Sequence, residues 1–408
     1  MSELISFLER KEDPDVKNRE NRSLRYGFAG PFTATHVERR YDTGAGGSWI
    51  GKPVLVKLHA GGLVGLGQIR PISPGHWMPD TVYSMLHAIT DYFGPRLIGM
   101  DAFDMAGIER MFDVTSPYNP NARAVIDHAL HDLLGKATDQ PVYNLLGGLR
   151  QPDVPLEWSV SMQDTREEMI DEAARAVEAF GIEVLCLKAG EPGGWRQDLG
   201  NFAAARDRLG ADILIGIDPN TGWTRHETIQ ALDGYRAYRL DYLEQPIKRR
   251  DLEGMAEIRR AARGVPLMAD EAMTSPAEAL ALAKADAVDV LCIKPYNLGG
   301  LRPAKRVAAI AETAGQLLNV GGLAAFCELE AAAAAHFYAS TPAHLMMPAG
   351  EFVFGLGVIG PDPLVPEPKF TIKNGKTRVL NAPGLGVEID EDALQRLTLH
   401  LVEVTEND

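Results

Sequence analysis

From about residue 155 onward, short apolar runs alternate with stretches whose apolar residues return every three or four positions. The runs are VPLEWSVSM, IEVLCLKAG, ADILIGIDPN, LDYLEQP, VPLMADEA, AVDVLCIKPYN, QLLNVGG and HLMMPAG. Between them, segments such as TREEMIDEAARAVEAFG, LEGMAEIRRAARG and RPAKRVAAIAETAG have the spacing of amphipathic helices. Eight strands alternating with seven helices predict an α/β fold, a parallel (β/α) TIM-type barrel over residues 151–364. No clear helix follows the eighth strand. Residues 1–150 have a different rhythm. KPVLVKLHAGGLVGLGQIRPI predicts a hairpin turning at Gly61 and Gly62, while DTVYSMLHAITDYFGPRLIG and NARAVIDHALHDLLGKA predict helices, giving a separate N-terminal α+β domain. The tail, 365–408, contains KFTIKNGKTRVL, a hairpin signal at Asn374-Gly375, and is expected to pack back on that domain.

Strand parity singles out a few residues. In VLCLKAG, Val184, Cys186 and Lys188 share one face and Leu185 and Leu187 the other. A lysine ending one strand is ordinarily a side chain leaving for water. In a barrel, however, the last inward residue of each strand lies at the mouth where chemistry occurs. ILIGID ends in Asp218, DYLE in Glu244 and PLMAD in Asp270, each carboxylate 26 positions after the one before. Strand-end acids are common helix caps. Three at equal spacing on successive strands instead converge on one point, where their repulsion calls for a cation. An all-oxygen set suits Mg²⁺. Glu271, beside Asp270, is off the inward face but close enough to bend in, and Asn220 follows Asp218 in IDPN. The sixth strand, VLCIKPYN, repeats the C-x-K arrangement with Cys292 and Lys294. Strands two and six are diametrically opposed in an eight-stranded barrel, so Lys188 and Lys294 face one another across the metal. That is an arrangement for taking a proton from one face of a carbon and returning it to the other.

Composition narrows the partners. The formal charge of −15 excludes a nucleic-acid role, which needs a basic surface. The charged N-terminus and the absence of a long uncharged apolar window imply a soluble, cytoplasmic protein with no membrane partner. Cys186, Cys292 and Cys327 have no C-x-x-C spacing and fit a reducing compartment. TGAGGSW, positions 43–49, lacks the Lys-Ser/Thr and helix of a phosphate loop.

These motifs resemble the enolase superfamily and, within it, the muconate-lactonizing-enzyme subgroup. IDPN, LEQP and ADE are similar to its three metal-ligand motifs, which implies Asp218, Glu244 and Asp270 as Mg²⁺ ligands. KAG and IKP are similar to its two acid/base lysine motifs, which implies Lys188 and Lys294 as catalytic. VLVKLHAGGLVGLGQ and IDHALHDLLGKATDQPVYNLLGG resemble its capping domain, whose lid loops shape the substrate pocket. The resemblance thereby makes Tyr26, Phe28 and TGAGGSW candidates for contact with a small carboxylate substrate, and implies a homo-oligomer. The chain departs from the pattern at Cys186, where the family carries the first lysine of Lys-x-Lys, the one expected to hold the substrate carboxylate. FCELEAAAAAHF loosely resembles the glutamate motif after strand seven, so Glu328 or Glu330 is a candidate hydrogen-bonding partner of that carboxylate; an acid at a helix N-terminus has a duller role as well. NVGG lacks the histidine of the mandelate-racemase subgroup. The leading expectation is an Mg²⁺-dependent racemase, epimerase or cycloisomerase. Alternatives are a lyase removing water from a hydroxy acid, sugar acid or hydroxyproline-type substrate, and a metal-binding relative without catalysis.

Overall fold

The computed structural model describes residues 24–29 (as backbone), 53–71, 78–190, 192–322 and 327–404. Eight parallel strands form one sheet in sequence order: β5 (Glu157–Val160), β6 (Val184–Lys188), β7 (Leu214–Asp218), β8 (Tyr242–Glu244), β9 (Leu267–Ala269), β10 (Val290–Ile293), β11 (Leu317–Val320) and β12 (Met346–Gly350). A parallel bridge from Leu156 to Gly350 closes the sheet into the expected TIM-type barrel. Each of the eight apolar runs supplies one strand.

The helices between the strands start and stop where local chemistry dictates. Thr165 and Glu168 form a capping box at the start of Arg166–Phe180, as Thr224 and Glu227 do for Arg225–Ala237. Gly181 and Gly315 end their helices in the left-handed region. Outward residues such as Leu185, Ile215, Leu243, Leu267 and Leu291 bury against these helices in one continuous core. Inward residues Val184, Cys186, Tyr242, Met268, Val290, Cys292 and Ala349 fill the barrel. Gly216 is required by this filling, since a Cβ there would come within 2.1 Å of the Tyr242 ring. The Tyr242 hydroxyl donates to Glu157, which also accepts from Asn319 Nδ2 at 3.3 Å, so the site rests on a floor of hydrogen-bonded polar groups.

The N-terminal part is a four-stranded sheet in the order β14-β1-β2-β3, where β1 is Leu24–Ala29, β2 Val54–Ala60, β3 Leu63–Ile69 and β14 Thr398–Val404. The hairpin turns at Gly61 and Gly62, with φ of 59° and 78°, a two-residue turn open to glycine. Helix α1 (Pro120–Thr138) crosses this sheet at close range, for a Cβ on Gly65 or Gly67 would meet its backbone carbonyls at 2.1 Å.

The tail divides between two partners. β14 pairs with β1, but β13 (Lys376–Arg378) pairs antiparallel with β4 (Asp153–Pro155), beside the entry to the barrel. Asn374 and Gly375 do form a tight left-handed turn, bridging Lys373 to Lys376. The second arm then finds its partner in β4, because three residues paired only with their own hairpin would leave their other edge bare.

Candidate active site

Lys188, Asp218 and Glu244 end β6, β7 and β8, and Asp270 directly follows β9. The β6–β7 register places Lys188 beside Asp218, and their side chains meet with Nζ donating to Oδ2 at 2.7 Å. On the other side, Lys294 directly follows β10 and donates to Asp270 Oδ2 at 2.5 Å. The register joining Val290 to Met268 and Leu291 to Ala269, continued by one residue, sets Asp270 beside Cys292, so Lys294 reaches it from one inward position further along. Glu244 lies between the pairs. One ligand atom each of Cys186, Asp218 and Glu244 lie within 4.8 Å of one another, and so do those of Glu244, Asp270 and Cys292.

Burial governs the electrostatics. Asp218 and Glu244 are 0% and 1% exposed. Burial, with repulsion from Glu271 and Asp270, pushes Asp218 up to about 7 despite Lys188. Burial and the Asp218 charge hold Glu244 well above the carboxylate range. Burial alone would lower the lysines, but Asp218 and Glu351 hold the Lys188 ammonium well above its ordinary value, and Asp270 does the same for Lys294. Glu244 Oε1 is buried with no hydrogen-bond partner among the described residues. Three buried carboxylates carrying an orphaned oxygen fit a hard divalent cation, which would satisfy that oxygen and offset the repulsion.

The other expected residues divide. Asn220 enters the site: its backbone N–H donates to Asp218 Oδ1 and its Nδ2 to Asp218 Oδ2, both at 2.8 Å, and to Glu271 Oε1 at 3.3 Å. Glu271 thus borders the carboxylates through Asn220. Cys186 Sγ lies 3.5 Å from Glu244 Oε2, as a donor to it. Glu328 is turned away, accepting from the backbone N–H groups of Lys369 and Phe370 at the base of the helix Glu328–Ala339, and is not brought to the lysine pair. Glu330 accepts from Arg70 N–H at 3.0 Å. The backbones of Tyr26 and Phe28 lie in β1, facing Val56 and Val54; their side chains and the TGAGGSW loop lie outside the described residues.

Three participants escaped the sequence reading. Glu351, directly after β12, lies 3.5 Å from Lys188 Nζ and accepts from Ser159 Oγ. The strand-end rule that selected Asp218 would have selected it, had the eighth strand been read one residue further. Gln245, with φ of 24°, accepts from the N–H groups of Asp270 and Ala272 and so fixes the end of β9. Asn121 of α1 donates to Tyr296 O at 2.9 Å and Asn297 Oδ1 at 3.1 Å, tying the loop after Lys294 to the N-terminal part.

Residues 168–393 match the family described as enolase C-terminal domain-like, and residues 47–147 the N-terminal domain of mandelate racemase / muconate lactonizing enzyme. The chain belongs to this enolase-superfamily family. The chain is 32% identical to N-succinyl-L-Arg/Lys racemase of Bacillus cereus, over 86% of this chain and 92% of that one. It is 31% identical to chloromuconate cycloisomerase of Pseudomonas putida, over 84% and 90% respectively. The crystal structure of the Bacillus cereus racemase superposes with a TM-score of 0.84 at 28% identity, covering 95% of this chain and 100% of that one. Among the described residues no helix is long and apolar enough to cross a membrane.

Proposed function

We propose that this chain is an Mg²⁺-dependent isomerase acting on the carbon next to a carboxylate, with racemisation or epimerisation of a small carboxylate as the reaction the site fits best. The observation carrying this reading is the pair of lysines. Lys188 and Lys294 lie four strands apart around the barrel, each bonded to an outer carboxylate of a set of three. Inversion at one carbon needs a base on one face and an acid on the other.

A proton next to a carboxylate is very weakly acidic, because its loss places a second negative charge on the same group. Mg²⁺ at Asp218, Glu244 and Asp270 would supply the hard Lewis acid that stabilises this charge. Lys188 and Lys294 do the proton transfer, one abstracting as the neutral amine and the other donating as the ammonium. A neutral lysine requires its carboxylate partner to be engaged elsewhere, and Asp218 and Asp270 are engaged elsewhere once they serve as ligands. Glu351 and Ser159 act as positioning residues for Lys188. The same reading takes the functional unit to be a soluble, cytoplasmic homo-oligomer with a capping domain over residues 1–150 and a barrel over 151–364; light scattering of the purified chain checks the assembly.

Purified enzyme with Mg²⁺ in D₂O should place deuterium at the α-carbon of both enantiomers of an N-acylated amino acid, the class named by the Bacillus cereus relative. Cycloisomerisation is the second reading, supported by the likeness to chloromuconate cycloisomerase, and lactone formation from a muconate would select it. Loss of water from a hydroxy acid would select the lyase instead. Exchange absent from a broad carboxylate panel, despite bound Mg²⁺, would overturn the isomerase assignment.

A further inference from the structure

The carboxylate site is flanked by two thiols for which the proposed isomerisation has no use. Cys186 and Cys292 are both buried and face inward, each two residues before a lysine on opposite sides of the barrel. Each completes a set of three potential ligands: Cys186 with Asp218 and Glu244, Cys292 with Glu244 and Asp270. Both sets share Glu244, whose Oε1 is buried without a partner among the described residues. On its far side Cys292 faces Gly321, where a Cβ would come within 2.4 Å of its sulfur.

We propose that thiophilic divalent cations, Zn²⁺ and Co²⁺, bind at this site with Cys186 as a sulfur ligand beside Asp218 and Glu244, and with Cys292 as the corresponding ligand on the Asp270 side. This rests on the reading of the three carboxylates as a metal site. Bonds of about 2.3 Å to sulfur and about 2.0–2.2 Å to oxygen span ligand atoms this close with small side-chain adjustments. Mg²⁺ takes oxygen and leaves both thiols protonated, whereas softer ions take sulfur. The sulfur–metal bond forms as the S–H proton leaves to solvent, with no change of oxidation state. Cys186 lies about 6–7 Å along the strand from Lys188, toward the barrel floor. A sulfur-bound ion is therefore drawn away from the lysines and the substrate, and it inhibits.

Co²⁺ titrated into the metal-free full-length protein should produce a near-ultraviolet sulfur-to-cobalt charge-transfer band. Cys186→Ser should remove most of the band and Cys186→Ser/Cys292→Ser all of it, while Cys327→Ser, remote from the carboxylates, should keep it. Zn²⁺ affinity relative to Mg²⁺ should fall at least about tenfold in Cys186→Ser, with the Mg²⁺-induced rise in melting temperature retained as evidence of an intact fold. A wild-type protein that binds Co²⁺ without this band, or a band that survives in the double variant, would overturn the proposal. Failure to bind both Co²⁺ and Mg²⁺ would instead overturn the carboxylate site itself, and the thiol inference with it.

Discussion

The two halves of the active site carry the same residues on different supports. On one side Cys186, Lys188 and Asp218 belong to adjacent strands in direct register, and Asn220 grips Asp218 through two hydrogen bonds. Lys188 also faces Glu351, directly after β12, so among the described residues its two carboxylate partners come from the barrel. On the other side Lys294 has left the ladder of β10 and begins the short helical turn Pro295–Leu298. That turn is bonded to Asn121 of α1, and the Asp127 carboxylate accepts from Leu301 N–H at 2.6 Å. One lysine is thus held by the barrel and the turn that follows the other is held partly by the N-terminal part. Chemical equivalence of the lysines does not make them mechanically equivalent.

The largest test of this comparison removes each amine. Lys188→Ala and Lys294→Ala should each lower turnover by about 10²–10⁴-fold. Each should also abolish deuterium exchange from one enantiomer, a different one for each variant; exchange of both enantiomers in either variant would break the two-base assignment. Next is Glu244, common to both sets of candidate ligands. Glu244 is buried with its carboxyl held well above its ordinary range, so its charge opposes folding at neutral pH. Its contribution to stability is present below its unfolded pKa and is lost as pH rises. Glu244→Gln should therefore raise the stability of the metal-free protein by about 1–3 kcal/mol. It should also erase the Mg²⁺ stabilisation, which in the wild type reaches about 2.7 kcal/mol at a hundredfold excess over Kd. Thermal melts with and without Mg²⁺ read both effects.

A pH test addresses two buried histidines, of which His128 lies on α1. Burial lowers His128 to about 4, against a raising influence from Asp127, and lowers His336 to about 4 as well. Both are neutral in the fold, while the unfolded chain takes up protons near pH 6.5. Their stabilising contribution is complete above that value and is lost as pH falls toward about 4. Each histidine contributes about 1.4 kcal/mol per pH unit across this window. In urea unfolding at pH 7 and pH 5, the wild-type chain should lose about 2 kcal/mol more on acidification than His128→Leu does, this being the share of that one histidine. Glu157 and Asp362, pushed up to about 7 chiefly by burial, act with the opposite sign as pH rises, so the variant's difference from wild type is the quantity to compare. The smallest effect falls on the contact between the halves. Asn121→Ala should cost about 1–3 kcal/mol of stability and slow exchange of the enantiomer served by Lys294 more than that served by Lys188; equal slowing would erase the mechanical distinction.

Much of this site was legible along the chain because a parallel barrel turns sequence interval into position. Once the strands were recognised, parity oriented Lys188, Asp218 and Glu244 inward, and strand order set the two lysines apart. Glu351 and Ser159 were not legible as a pair. They are 192 residues apart, and only closure of β12 onto the first strand brings them together. Glu328 shows the converse. Its motif was suggestive, but the backbone N–H groups of Lys369 and Phe370 claim its carboxylate, a choice made by the returning tail.

The sequence by itself therefore determined the strand and helix alternation, the inward carboxylates and the opposed lysines, because these follow from local periodicity repeated along a regular barrel. Only the tertiary structure decided which carboxylate each lysine bonds, that Glu244 keeps an oxygen without a partner among the described residues, that both thiols adjoin the three carboxylates, and that α1 supports the Lys294 turn. Those outcomes depend on strand register, barrel closure and the docking of the N-terminal sheet. Each joins residues distant in sequence through burial and hydrogen bonding, which leave no periodic trace in the chain.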